Sequence, residues 1–309
     1  MRNTTLLTSV LWILVVVYAV ATYSNMLFSL SIPIGAVLLV AVVFSLLHGA
    51  MRYRWTGIAA FIVICLVVSN ILENTSILTG FPFGHYHYTD ALGPKLFLVP
   101  LLIGPAYFAN GYLAWALSTV LVGDVRREST AFTTIAVPFI ASFLMVMWDL
   151  GFDPQASTIQ RFWIWEQGGG YFGVPLTNYL GWFFTVFVFL QLFALFLRVR
   201  GTESLTLARP YHAQAVVMYA VVGLTPVIGY LAARTNTAVT DAAGAVWHTG
   251  SITESMATVT IFTMLFAAAL AAVELLQEPT AVSDTSINRT ATAESAVSAA
   301  AVHPGVGDG

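Results

Sequence analysis

Charge is what this sequence most lacks. Asp, Glu, Lys and Arg make up 9% of its 309 residues, against roughly 25% in an average soluble protein. The soluble reading of a chain this long, about two domains, is therefore excluded. Lysine occurs once, as Lys95 at the entrance to an apolar run. That removes light-driven retinal proteins, which need a Schiff-base lysine within a span. Cysteine also occurs once, as Cys65 inside an apolar run, so no intrachain disulfide can form, and a small core residue is expected there. The net charge of −3 offers no basic face to neutralise phosphates, which excludes nucleic acid as a partner.

Apolar residues are abundant. They make up 58% of the chain, and the mean hydropathy is +0.82. They fall in runs near the roughly 20 residues that span a bilayer, at about residues 6–21, 32–47, 57–78, 96–122, 131–150, 174–197, 213–231 and 253–276. This predicts an all-α, polytopic transmembrane helical bundle of about eight spans. The first run has an alternative as a signal peptide, because Arg2 precedes it and Ala19-Val20-Ala21 resembles a cleavage site. The run at 96–122 is long and contains Pro100, Gly104, Pro105, Asn110 and Gly111, which predicts a tilted or kinked helix. With the amino terminus inside, Arg2, Arg52, Arg54, Arg126, Arg127, Arg198, Arg200, Arg209 and Arg289 are cytoplasmic, whereas Lys95, Arg161 and Arg234 are outside. Nine against three fits the excess of positive charge on cytoplasmic loops. Both termini are then cytoplasmic, in a multi-pass protein of the cell membrane. Residues 1–277 form the membrane domain, and 278–309, rich in Ala, Ser and Thr, are expected to be a disordered cytoplasmic tail.

The unusual polar and aromatic residues collect on the outer side. The third run ends in Glu73 and leads to Tyr86, His87, Tyr88 and Asp90. The fifth ends in Trp148-Asp149 and Asp153-Pro154, and the next loop carries Trp163, Trp165, Tyr171, Asn178 and Trp182. A carboxylate at membrane depth costs roughly 2.5–3.5 kcal/mol, which makes Glu73 and Asp149 functional candidates. The competing reading places them in the interface as hydrated helix caps. Each ring taken singly is better explained by an interfacial aromatic belt. The interleaving with Gly and Pro is less belt-like, and irregular backbone at membrane depth is tolerated where protein buries it or it lines a cavity.

Three motifs are discounted. His85-Tyr86-His87 with Asp90 offers imidazole and carboxylate for a metal, but His48, His212, His248 and His303 form no further histidine box. His48 and His212 are expected at the interface, and His248 in a solvated loop before Glu254. Gly168-x-Gly170-x-x-Gly173 matches a dinucleotide fingerprint outside its strand–helix context. Asp149-x-x-x-Asp153 is half of a prenyltransferase magnesium signature, without the second half.

The strings Glu73-Asn74, Gly80-Phe81-Pro82-Phe83-Gly84-His85-Tyr86-His87-Tyr88-Thr89-Asp90, Leu92-Gly93 and Val99-Pro100 resemble a family of carotenoid-biosynthesis membrane proteins. So do Trp148-Asp149, Asp153-Pro154, Trp163, Trp165, Tyr171-Phe172-Gly173-Val174-Pro175-Leu176 and Asn178-Tyr179-x-Gly181-Trp182. Characterised members are hydratases of the bisanhydrobacterioruberin and γ-carotene type, so the resemblance implies addition of water across the terminal double bond of an acyclic carotenoid to give a tertiary alcohol. An unactivated alkene must first be protonated to a tertiary cation. The acid must then be neutral at working pH, a state that an apolar, partly buried site favours. Aromatic faces stabilise the cation by about 0.5–2 kcal/mol each, and a second polar group orients the water.

On this chemistry Asp149 is the first candidate for proton donor and Glu73 the second. Asp90, Asp153 or Asn178 positions water, while Tyr86, Tyr88, Trp148, Trp163, Trp165 and Trp182 line the cation site. Asp124, beside a cytoplasmic turn, is expected to tolerate Asn. No metal or organic cofactor is implied. The expected partners are an acyclic carotenoid, water and the lipid bilayer, with other membrane enzymes of the pathway as candidates. Two rival functions remain open on the sequence: an end-group cyclase or isomerase, and a non-catalytic carotenoid-binding protein.

Overall fold

A computed structural model describes residues 2–200, 209–233 and 235–277. The expected tail at 278–309, with Arg289 and His303, and the outer Arg234 lie outside the described residues. The helices are α1 (Arg2–Phe28), α2 (Ile34–Thr79), α3 (Ile103–Val122), α4 (Ala131–Asp153), α5 (Leu176–Arg200), α6 (Arg209–Ala232), α7 (Thr249–Thr260) and α8 (Phe266–Gln277). A π turn at Ile261–Leu265 joins the last two into one rod. The chain is thus an all-α helical membrane bundle, with six helices among the described residues long and apolar enough to cross a bilayer.

At 46 residues α2 would span about 69 Å if straight, at 1.5 Å per residue. It breaks at Arg54, whose φ is 58° and ψ 174°. The contacts with α3 show that the chain doubles back there. Ser45, His48 and Arg52 meet Ala109, Tyr112 and Thr119 in ascending order. After the break, Phe61 meets Tyr112 and Phe108, Glu73 meets Tyr107, and Asn74 meets Leu98 just ahead of α3, in descending order. The predicted runs at 32–47 and 57–78 are therefore the two arms of one helical hairpin.

Helix α3 lies at the centre, packed against α2, α4 and α6. Its buried stretch includes Tyr107, Tyr112 and Trp115, each fully enclosed. This corrects the reading of 96–122 as one long kinked helix. Lys95–Leu96 (β2) and Val99–Pro100 (β3) instead form a tight antiparallel hairpin, because Pro100 and Pro105 leave too few backbone donors for a helix to start before Ile103. His48 also departs from its expected interfacial place. It is buried, its Nε2 bonds the Tyr211 carbonyl at 3.0 Å, and Tyr112 Oη lies 2.6 Å from its Nδ1.

Two further hairpin-like pairs lie at the bundle end opposite Arg52. Tyr86–Tyr88 (β1) pairs antiparallel with Trp163–Trp165 (β4), and Ala238–Thr240 (β5) with Val246–His248 (β6). At the Arg52 end, Arg52 donates to Thr119 Oγ1 at 2.8 Å and pairs with Asp124, which also accepts from Arg126 at 2.8 Å. The expectation that Asp124 tolerates Asn therefore fails on geometry, since Arg52 is 1% exposed and would lose its counter-charge. Breaking such a pair costs about 3 kcal/mol, so D124N should lower the thermal unfolding midpoint in detergent while D90N, which removes a fully exposed carboxylate, leaves it unchanged. For orientation, single cysteines in a background lacking Cys65 should react with an impermeant maleimide in intact cells at position 166 and stay unlabelled at 128. The reverse pattern would invert the assignment.

Candidate active site

Glycine and serine turn the chain at the end of α2. Gly80 adopts φ 82° and closes the helix by donating to the Ser76 carbonyl at 2.7 Å. The Ser76 hydroxyl then holds the returning strand, accepting from the Phe83 amide and donating to the Gly84 carbonyl, each at 3.0 Å. This fold-back lays β1 over the last turns of α2. Alternation along β1 then separates its side chains: Tyr86 and Tyr88 point in and are buried, whereas His85 and His87 are exposed. Pairing sets Tyr86 opposite Trp165 and Tyr88 opposite Trp163, with ring centroids 4.8 and 5.8 Å apart.

Glu73 sits beneath these rings, 3% exposed. Tyr86 and Tyr88 donate to its Oε2, the latter at 3.0 Å, and Tyr107 of α3 donates to Oε1 at 2.7 Å. Burial first, and then the neighbouring Glu73 carboxylate, hold the phenols of Tyr86 and Tyr88 well above the ordinary tyrosine range, so both remain donors. Across the site, Asp149 and Asp153 lie four residues apart on one face of α4, 3% and 1% exposed. Both Asp149 Oδ2 and Asp153 Oδ2 accept from the Asn178 amide at 2.7 Å, and Asp153 Oδ1 accepts from the Trp163 indole at 2.9 Å. Trp182 spans the gap, stacked on Tyr107 at 4.3 Å and edge-on to Trp148 at 5.7 Å.

These groups line one cavity of about 390 Å³, within the range typical of small-molecule sites. Its walls are otherwise apolar, except for Tyr18, Thr22 and Asn25 from α1, Asn110 of α3, Thr225 of α6, and Gln155 and Gln160 after α4. Among the described residues lining it there is no Lys, Arg or His. Three acids thus share an enclosed space with phenols, indoles and an amide as their partners.

Glu73, Asp149, Asp153, Tyr86, Tyr88, Trp148, Trp163, Trp165, Asn178 and Trp182 all converge on this cavity. Asp90 does not: its side chain is fully exposed and lies 3.2 Å from Lys95 Nζ, on the short helical turn that follows β1. His87 faces outward and pairs with Glu166 at 3.3 Å. His248 and Glu254 are exposed. No group of three His, Cys, Asp or Glu side chains able to hold a metal occurs among the described residues. Tyr107, the third phenol on Glu73, carried a signal that sequence reasoning passed over: a polar ring in mid-span, two residues after Pro105.

Residues 33–246 match the family model described as carotenoid biosynthesis protein, a stretch that contains all three acids. The chain belongs to this family. It is also similar to the bisanhydrobacterioruberin hydratase of Haloarcula japonica, with 34% identity over 123 residues. That match spans 40% of this chain and 40% of the relative. No solved structure matches.

The cavity depends on a close approach between α5 and the turn that leads into β1. A Cβ at Gly181 would lie 2.8 Å from the Phe83 Cα and from the Pro82 carbonyl oxygen. G181A should displace the segment that carries Tyr86 and Tyr88, costing about 1–3 kcal/mol and lowering the thermal unfolding midpoint in detergent. G170A, with open space around its Cβ, should leave the unfolding midpoint unchanged.

Proposed function

We propose that this member of the carotenoid biosynthesis family is a carotenoid hydratase: it adds water across the terminal trisubstituted double bond of an acyclic carotenoid end group and releases a tertiary alcohol. The observation that carries the reading is the convergence of three buried acids and an aromatic box on an apolar cavity whose described lining holds no cationic side chain. Proton transfer to the less substituted carbon leaves a tertiary cation. The faces of Trp163, Trp165, Trp182, Tyr86 and Tyr88 surround the space where it forms, and each contributes about 0.5–2 kcal/mol. Cations on neighbouring side chains would oppose this charge. Capture by an oriented water completes the addition.

The hydratase named among the relatives supports the choice of water as nucleophile, and the polar rim of Gln155 and Gln160 supplies a route for it. The three acids are the candidates for donor and acceptor of the protons. A carotenoid substrate is hydrophobic enough to arrive through the bilayer, and the apolar wall of Ile34, Val37, Leu38 and Ala41 on the first arm of α2 suits its polyene.

The test is the origin of the oxygen. Membranes containing the protein, given an acyclic carotenoid anaerobically in heavy-oxygen water, should yield a tertiary alcohol that carries the label. An isomer of unchanged mass would mean a cyclase or isomerase, and recovery of substrate alone would mean a binding protein. Product that forms only in air, with oxygen from the gas, would mean an oxygenase and a metal site elsewhere.

A further inference from the structure

We propose that the acids of the cavity have unlike roles: Asp149 delivers the proton from its Oδ1, and Glu73, ionised inside three phenols, takes the proton of the captured water. The assignment rests on the hydratase reading and goes on to divide its acid–base chemistry between two sites.

Hydrogen bonds carry the argument. The cluster has six carboxyl oxygens. Glu73 Oε1 accepts from Tyr107, Glu73 Oε2 from Tyr86 and Tyr88, Asp153 Oδ1 from Trp163, and Asp153 Oδ2 and Asp149 Oδ2 from the Asn178 amide. Among the described residues, Asp149 Oδ1 accepts from nothing, and the residue lines the cavity. A carboxyl oxygen that holds a proton turns an O–H outward and loses acceptor strength, so the proton sits best where no donor faces it. Each phenol has one hydrogen to give, and a carboxylate that takes all three has both oxygens engaged as acceptors. The indole and the amide engage Asp153 in the same way. Two carboxylates on one amide repel each other, and a proton on Asp149 relieves that repulsion while Asn178 holds the pair in place.

The reaction then balances. The π electrons of the double bond form a C–H bond to the Asp149 proton, and the O–H pair remains as carboxylate. A water lone pair forms the C–O bond to the tertiary carbon, and the surplus water proton goes to Glu73. A proton returns from Glu73 to Asp149 through cavity water, so one water is consumed and both acids are restored. Tyr86, Tyr88 and Tyr107 are positioning residues: they keep Glu73 an acceptor and aim it.

Deuterium separates the two roles. In D₂O, wild-type membranes should give alcohol with one deuterium on the carbon beside the new C–O bond. D149N should lose both product and deuterium uptake into recovered carotenoid, by roughly 100-fold. E73Q should lose product while recovered carotenoid still gains deuterium or migrates its double bond, because the cation forms and collapses by proton loss. Y107F should shift the product-to-exchange ratio in the same direction. Deuterium exchange that survives in D149N, or that vanishes in E73Q as fully as in D149N, would overturn the assignment. If E73Q fails to reach the membrane, the Y86F/Y107F pair is judged by the same ratio. Wild-type membranes that give no alcohol would instead overturn the hydratase reading, and this assignment with it.

Discussion

A carboxyl group removed from water must find its hydrogen bonds inside the protein, and much of this bundle's upper half is arranged to provide them for Glu73. Three phenols reach it from two places in the chain: Tyr86 and Tyr88 on β1, and Tyr107 on the central helix α3. Each arrival imposes a structural demand. Tyr107 requires α3 to run deep beside α2, and the two strand tyrosines require the chain to leave α2 abruptly and come back. The Gly80 cap and the Ser76 hydroxyl meet the second demand. A buried acid left without these partners would cost several kcal/mol at membrane depth.

The same logic places the second acid group. Asp149 and Asp153 share a face of α4 through the four-residue repeat of a helix, and Asn178 at the start of α5 holds both with one amide. Helices α4 and α5 are therefore tied at the end that holds the cavity. Trp163 joins this pair to the strand platform through its indole, so β4 serves both acid groups at once. The opposite end of the bundle is fastened by another chemistry, the Arg52, Asp124 and Arg126 ion pairs.

The helical bundle was legible in the apolar runs, because hydropathy over a bilayer's length is a strong signal. The convergence of the acids and rings was legible for a related reason: residues that end spans on one side of a membrane share a plane. What the linear pattern does not carry is depth and direction. Asp90 follows Tyr88 by two residues, yet a single helical turn sends it to solvent. Tyr107 stood unremarked within an apolar run because its partner lies 34 residues away. His48 looks interfacial by position, and only the packing of α3 and α6 around it reveals a core residue. The strand pairing of β1 with β4 is a long-range contact between two three-residue segments, too short for periodicity to announce.

The cavity's two walls come from separate parts of the chain. The cavity's acids and the aromatic box lie between residues 73 and 182, whereas the facing wall is built by Tyr18, Thr22, Asn25 and Met26 of α1 with Ile34, Val37, Leu38 and Ala41 of α2. Helix α1 touches the bundle mainly through α6 and the first arm of α2, and makes no part of the acid network. Chemistry and fit are thereby inherited on different segments. Substitution along α1 and the first arm of α2 can lengthen or widen the cavity while the acids and their hydrogen-bond partners pass on unaltered.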